Sequence, residues 1–304
     1  MVKAPTVRFV LQNIAHGGFR LTGGGQVEDD RWPEGILPRL QSAGPIDVLA
    51  LNECRGWETE TTAPDGTVYR PYLERAQKDL GLELAGITRV HTLEGQPSVI
   101  LYNPDTMGDL VNFDDRHRDQ FYHGYGIATW NTPGLEQPLS LAVCHLDPYD
   151  RERSKIEAAK LATHAYYNGP YAFLAGDFNS SPITGPDPDI EKMRPYNRAN
   201  RCDWTLDAAT GERIWTPNRE VAQRLLDYEY YDTAVLHHER TGDMAALART
   251  GKTDRIDWVM ASRALRDTVV DYRMLTEPAG ASDHMGLAVT LDLAKCAPAT
   301  WAYA

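Results

Sequence analysis

YAFLAGDFNSSP, residues 171–182, decides how the rest of the chain is read. Its first part, YAFLA, is a short apolar run with the composition of a buried strand. Its second part sets a carboxylate and a carboxamide, Asp177 and Asn179, two residues apart. Residues i and i+2 of a strand, or of its extension, point the same way. Two polar groups therefore leave one strand end side by side. Asp and Asn also favour helix N-termini and turns, so this stretch alone leaves a turn and a site equally open.

Working outward, short runs rich in Val, Ile, Leu and aromatics recur: VRFVLQN (7–13), IDVLALNE (46–53), PSVILYN (97–103), GIATW (126–130), LSLAVCH (139–145), RIDWVMAS (255–262) and MGLAVTLDL (285–293), with TVVDYRML (268–275) a further candidate. All read as strands. Helices are expected over 151–167, with Ile156, Ala159, Thr163 and Tyr166 on one face, and over 71–81, where Gly81 suits a C-cap. A weaker candidate covers 35–44, with Pro38 near its start. Strands alternating with helices predict an α/β or α+β sandwich with mixed sheets. The stretch from about 180 to 254 is rich in Pro, Arg, Asp and Tyr and lacks clean periodicity, as a functional loop does.

The chain has 304 residues and a net charge of −12. Such a surface repels nucleic acid and anionic lipid as a whole, which argues against a broad basic binding face but not against an enzyme gripping one phosphate. Cys54, Cys144, Cys202 and Cys296 form no CxxC pair and read as reduced and structural. No apolar run is long enough to cross a membrane, and the start MVKAPTVRFVLQN lacks the apolar core of a signal peptide. A cytoplasmic location is the expectation, and a trimmed secreted form would look the same.

Several strands end in chemistry. VRFVLQN ends in Asn13, IDVLALNE in Glu53, LSLAVCH in His145, and YAFLAGD in Asp177 with Asn179 beyond. Asp257 stands inside RIDW, and Ser282-Asp283-His284 precedes the last strand. Each has an ordinary explanation alone, as a solvated carboxylate or a hydrogen-bonded core histidine. Sheets hold groups at strand ends rigidly while the loops there diverge, and the joint pattern points to a site.

QN (12–13), LNE (51–53), His145, GDFN (176–179), RIDW (255–258) and SDH (282–284) occur in the order found in the endonuclease/exonuclease/phosphatase superfamily, which the chain resembles from about residue 7 to 293. These are metal-dependent phosphoesterases related to pancreatic-type deoxyribonuclease and abasic-site endonucleases. The resemblance implies a four-layer αββα sandwich, two mixed β-sheets packed face to face with helices outside. It implies a single catalytic domain over 1–304, with a long substrate-loop insert at about 180–254. It also implies roles. Glu53 with Asp283 would hold Mg²⁺ (or Mn²⁺), a hard ion suited to carboxylates, helped by Asn13. Asp177 would orient and deprotonate the attacking water or support a second metal, Asn179 would donate to a phosphate oxygen, and His284, held by Asp257, would face the phosphoryl oxygens. His145 would stand across the phosphate as donor or general acid.

The sequence also departs from that pattern. Some abasic-site endonucleases carry Asp two residues after the first Asn; here Ala15 stands there, which predicts one tight metal rather than two. LNE replaces the commoner Leu-Gln-Glu, so Asn52 should point away from a metal on Glu53. Gln96 is near the place where a carboxylate partner of His145 is expected, which would leave His145 less charged. The favoured reading is a Mg²⁺-dependent phosphodiester hydrolase acting as a nuclease, expected to be a monomer. The alternative is a phosphatase or diesterase for a small phosphorylated metabolite or lipid headgroup, since one fold hosts both. A non-catalytic binding module is disfavoured by the intact set of polar residues. Net charge leans toward a small substrate. Arg118, His123 and the cluster Arg194, Arg198 and Arg201 lean toward a nucleic-acid backbone.

Overall fold

The structure, a computed structural model, describes residues 3–21, 27–90 and 95–298. Twelve strands make two six-stranded sheets. The first sheet holds β1 (Thr6–Asn13), β2 (Val48–Asn52), β3 (Glu83–Ile87), β4 (Val99–Tyr102), β11 (Val269–Leu275) and β12 (Gly286–Asp292), in the order β11-β12-β1-β2-β4-β3. The second holds β5 (Asp109–Asp114), β6 (Tyr125–Asn131), β7 (Leu139–His145), β8 (Tyr171–Asp177), β9 (Tyr230–Asp232) and β10 (Asp257–Ser262), in the order β9-β10-β8-β7-β6-β5. Each sheet is antiparallel except for its central pair, β1–β2 in one and β7–β8 in the other. A parallel pair needs a crossover; the first contains α1 (Leu37–Gln41), the second α3 (Arg151–Ala165).

Strand alternation explains why the runs look continuously apolar. Val7, Phe9 and Leu11 of β1 share one buried cluster between the sheets with Ala50, Val143, Phe173, Ala175, Val259 and Val289. The intervening residues face outward: Val10, Leu49 and Leu51 meet Trp32, Ile36 and Leu40, while Ala142, Cys144 and Leu174 meet Ala158, Leu161 and Ala162 of α3. Both faces of each sheet are thus covered, as buried parallel pairs require. The expected four-layer αββα sandwich is what the chain forms.

Three local expectations change. The buried face of α3 is Ala158, Leu161, Ala162 and Ala165, and Ile156 is exposed; small residues let the helix lie close on β7 and β8. The stretch 180–254 carries more regular structure than its composition suggests: α4 (Pro195–Arg201), a hairpin of Cys202–Leu206 with Arg213–Pro217, α5 (Glu220–Asp227), edge strand β9 and α6 (Thr233–Thr241). The edge strands β3, β5 and β9, which the sequence reading does not mark, complete the two sheets. The other helix expectations hold. α2 spans Pro71–Leu80 and ends on Gly81 in the left-handed region, φ 66, and Pro38 lies in the first turn of α1. All four cysteines are free. No helix among the described residues is long and apolar enough to cross a membrane.

Candidate active site

The inward-facing alternation of the core strands runs on, at one end, into polar residues. Asn13 follows Leu11, Asn52 follows Ala50, His145 follows Val143, Asp177 follows Ala175, and Asp257 precedes Val259; all five are buried. Strand register aligns them, Asn13 opposite Asn52, and Asp177 opposite both His145 and Asp257. One end of the inter-sheet core is therefore a polar floor built from both sheets. Gly176 of the GDFN stretch lies against β7 with φ 150, where a Cβ would stand 1.8 Å from the Cys144 carbonyl oxygen; only glycine permits that approach.

Asn52 joins the halves of the floor. Its amide donates to Ser98 Oγ (2.7 Å) and to the Cys144 carbonyl (2.9 Å), and its Oδ1 accepts the Asp177 N–H (3.0 Å). It points into the sheet interface, while Glu53 turns toward the site. Strict alternation would send Glu53 outward, but its φ of 59 reverses it. Ala15, His16, Glu53 and Asn179 are four of the five non-glycine residues with positive φ among the described residues. Such conformations cost about 1–3 kcal/mol each and persist where surrounding structure enforces them, often at functional sites.

Glu53, Asp177 and His284 each offer a ligand atom, and these atoms lie within 4.8 Å of one another. Asn13 Nδ2 donates to Glu53 Oε1 (3.0 Å) and to Asp177 Oδ2 (3.4 Å), and the His16 N–H donates to Glu53 Oε2 (2.9 Å). Burial alone would raise the Glu53 pKa, but the positive His284 and these two donors outweigh it and hold the carboxyl below its ordinary value. Asp177 is pushed up to about 7 by burial and by the neighbouring Asp257 carboxylate, against the pull of His284 and Arg201. Burial opposes charge on His284 too, yet Asp257, with its Oδ2 2.8 Å from Nδ1, together with Asp177 and Glu53, raises it from 6.5 to about 10. His284 is thus an imidazolium across the neutral range, with Nε2 3.9 Å from Asp177 Oδ2. A cation does not ligate a metal. The donor set that remains, Glu53 and Asp177 flanked by the Asn13 amide, consists of hard oxygens and fits Mg²⁺ or Mn²⁺. In Asp257→Asn the support for that charge is lost, so His284 sheds its proton at lower pH. A pH–kcat profile is expected to fall as pH rises through about 6–8, a decline this group does not impose on the wild type until near 10.

His145 lies opposite, Nε2 3.7 Å from Asp177 Oδ2, with Nδ1 buried and without a hydrogen-bond partner among the described residues. Burial first, then His284 and Arg201, lower its pKa to about 3, so the ring is neutral. It stacks on His123 at 3.9 Å between centroids. The Gln96 N–H donates to His123 Nδ1 (3.0 Å), one ring removed from the place the sequence suggested. His123 therefore supports His145 from behind.

Asn179 Nδ2 donates to the Leu146 carbonyl (3.0 Å), and its Oδ1 accepts from Arg201. Nη2 of Arg201 makes that contact, while its Nη1 donates to both carboxylate oxygens of Asp254, at 3.2 and 3.0 Å. Arg201 is 7% and Asp254 2% exposed. Arg201 is thereby separated from the surface arginines with which the sequence grouped it. Its replacement by Ala strands a buried carboxylate and is expected to cost about 3–5 kcal/mol, measured by denaturant unfolding; Arg201→Lys, with one nitrogen in place of the two that hold Asp254 and Asn179, recovers only part.

Asp283 is exposed and outside the cluster. Ser282 turns inward, donating to the Asn13 carbonyl (2.7 Å), and so does His284, which sends the residue between them outward. The expected carboxylate partner of Glu53 is Asp177 instead. Arg194 is exposed beside the Tyr196 hydroxyl (2.7 Å), Arg198 lies over the Trp215 ring (5.1 Å), and Arg118 sits 3.8 Å from Asp115 and from Asp119. None of the three contacts Glu53, Asp177 or His284. Sequence reasoning missed His16, Asp254 and Glu157. Buried Glu157 accepts the N–H groups of Tyr122 (2.7 Å) and Asp147 (2.9 Å), fixing the chain next to both His123 and His145. In the sequence it reads as one more polar helix residue.

A family model described as the Endonuclease/Exonuclease/phosphatase family matches residues 12–284. No curated protein matches the chain. An AP endonuclease from Archaeoglobus fulgidus has a similar structure, with TM-score 0.58 and 12% identity, covering 94% of this chain and 99% of that one. An endonuclease/exonuclease/phosphatase family protein from Leptotrichia buccalis gives 0.57 and 15%, with coverage of 94% and 99%. D. rerio TDP2 complexed with single strand DNA product gives 0.53 and 13%, with 94% and 98%. At these identities the likeness concerns the fold.

Proposed function

Because this chain belongs to the endonuclease/exonuclease/phosphatase family, we propose that it is a phosphodiester hydrolase using Mg²⁺ or Mn²⁺, that residues 1–304 act as one catalytic domain, and that its substrate is nucleic acid. The observation that carries the reading is the convergence of Glu53, Asp177 and the Asp257-held His284, with ligand atoms within 4.8 Å of one another. Two proteins with this fold, the AP endonuclease and the TDP2 bound to a DNA product, support nucleic acid as the substrate class. With a net charge of −12, any grip on a polyanion must be local.

When bound, the ion supplies positive charge to the phosphoryl oxygens and acidifies water. Glu53 would hold it, with Asn13 fixing its carboxylate and that of Asp177 beside it. Asp177, poised near neutrality, takes the proton of the attacking water as its oxygen bonds to phosphorus; the ester P–O bond breaks and the leaving oxygen takes a proton from solvent. The His284 imidazolium donates to a non-bridging oxygen where charge accumulates. Neutral His145 donates a hydrogen bond from the opposite side. Asn179, oriented by Arg201 and Leu146, keeps one amide N–H for phosphate. The test is a panel of plasmid DNA, abasic duplex, RNA, inositol phosphates and a small aryl diester, with Mg²⁺ and with EDTA. Cleavage of a nucleic acid, abolished by EDTA and restored by Mg²⁺ or Mn²⁺, is expected. Hydrolysis of small phosphoesters alone would overturn the substrate, and undiminished turnover in EDTA would overturn the metal.

A further inference from the structure

The hairpin of Cys202–Leu206 and Arg213–Pro217 starts one residue after Arg201, the side chain that orients Asn179. Trp204 and Trp215 are directly opposite in its register, so both rings lie on one face. Trp204 is 48% exposed. Arg213 packs over Trp204 at 4.6 Å and over Trp215 at 5.8 Å, and Arg198 packs over Trp215 at 5.1 Å. Neither arginine has a carboxylate partner among the described residues. Its neighbours differ: Arg151 pairs with Asp203 (2.5 Å), and Lys155 pairs with Glu152 (2.7 Å). Asp150, Glu152 and Asp203 also line this region, and Glu220 shares Lys155 (3.0 Å), so the face carries no net surplus of charge; its distinguishing feature is the two stacked guanidiniums that no carboxylate among the described residues holds.

This face opens onto a groove of about 630 Å³ lined by Trp204, Trp215, Arg213 and Tyr149, within the size range of small-molecule sites. A run of packed rings links the rim of the groove to the active site. The Tyr149 ring meets Tyr122 edge-on at 5.7 Å, Tyr122 meets His123 at 4.7 Å, and His123 stacks on His145. Trp204 is three residues from Arg201, roughly 10 Å of extended chain.

We infer that the Trp204–Trp215 hairpin is a base-stacking platform for single-stranded nucleic acid running out of the active site. The inference rests on the nucleic-acid reading above. Indole faces stack on any base, and guanidiniums beside them meet the phosphates. A duplex hides its base faces, so the platform selects unpaired strands. Phosphate-free ligands that stack on indoles, such as sugars or proline-rich peptides, would leave Arg198 and Arg213 without counterions.

The test separates binding from cleavage. In EDTA, a labelled single-stranded oligothymidylate and a blunt duplex of equal length are titrated by anisotropy. The W204A/W215A pair is expected to lose about tenfold to a hundredfold in affinity for the single strand and much less for the duplex, while W204F/W215F restores most of it. On the wild type, the single strand quenches tryptophan emission and the duplex does not. Equal single-strand affinity of wild type and the Ala pair, or no quenching of the wild type, overturns the platform, whether or not the Ala pair folds. Cleavage answers the separate question. A wild type that binds single strands through these tryptophans but cuts no nucleic acid keeps the platform and loses the proposed substrate. A wild type that cuts nucleic acid while the Ala pair binds and cuts it equally well keeps the substrate and loses the platform.

Discussion

An Asp177→Asn enzyme is expected to turn over its phosphodiester about 10²–10⁴-fold more slowly than the wild type, the scale on which a positioned general base acts. His284→Ala is expected to lose about 10²–10³, the scale of one donor to a charged transition state. Each group sets the other's charge: Asp177 helps raise His284, and His284 restrains the rise of Asp177. The two losses therefore should not multiply. The double variant is expected to fall by little more than the worse single variant, as groups acting as one unit do. Single-turnover kinetics at saturating substrate would measure all three rates. Fully multiplicative losses would place the two residues in separate machines.

Glu53→Gln carries the second large effect. The substitution keeps an acceptor for the His16 N–H but removes the negative charge that Asn13 and His284 hold in place. Activity at fixed Mg²⁺ is expected to fall at least about a hundredfold. Metal affinity gives a readout that does not pass through turnover. A ligand at a hundred times its Kd stabilises the native state by about 2.7 kcal/mol. Mg²⁺ should therefore raise the Tm of the wild type and leave Glu53→Gln nearly unmoved. Titration calorimetry is expected to find one tight ion, since Ala15 offers no second carboxylate and Asp283 points to solvent. Equal stabilisation of both proteins would remove Glu53 from the metal site.

The central strands were legible because both faces of each sheet are covered, which makes long apolar runs. The edge strands β3, β5 and β9 were not, since their residues answer to one neighbour strand and to solvent. The polar strand ends were legible for a related reason: Asn13, His145, Asp177 and Asp257 interrupt apolar runs at positions where alternation keeps them facing inward. What the sequence could not carry was any position where the backbone leaves its regular path. Glu53 reaches the site only through a positive φ, and the inward turn of Ser282 and His284 sends Asp283 out. Arg201 reads as one of a surface cluster because its partner, Asp254, is 53 residues away. Glu157 acts on backbone N–H groups, which no residue type announces.

The amide of Asp177 donates across to the other sheet, onto Asn52 Oδ1. Ladder amides exchange with solvent when a strand peels away; this one exchanges whenever the two sheets part, even if each stays intact. Its deuterium uptake is therefore a direct gauge of sheet docking, read at the residue that does the chemistry. Protection of that single amide would track the fraction of molecules with an assembled catalytic centre, without substrate or metal in the tube.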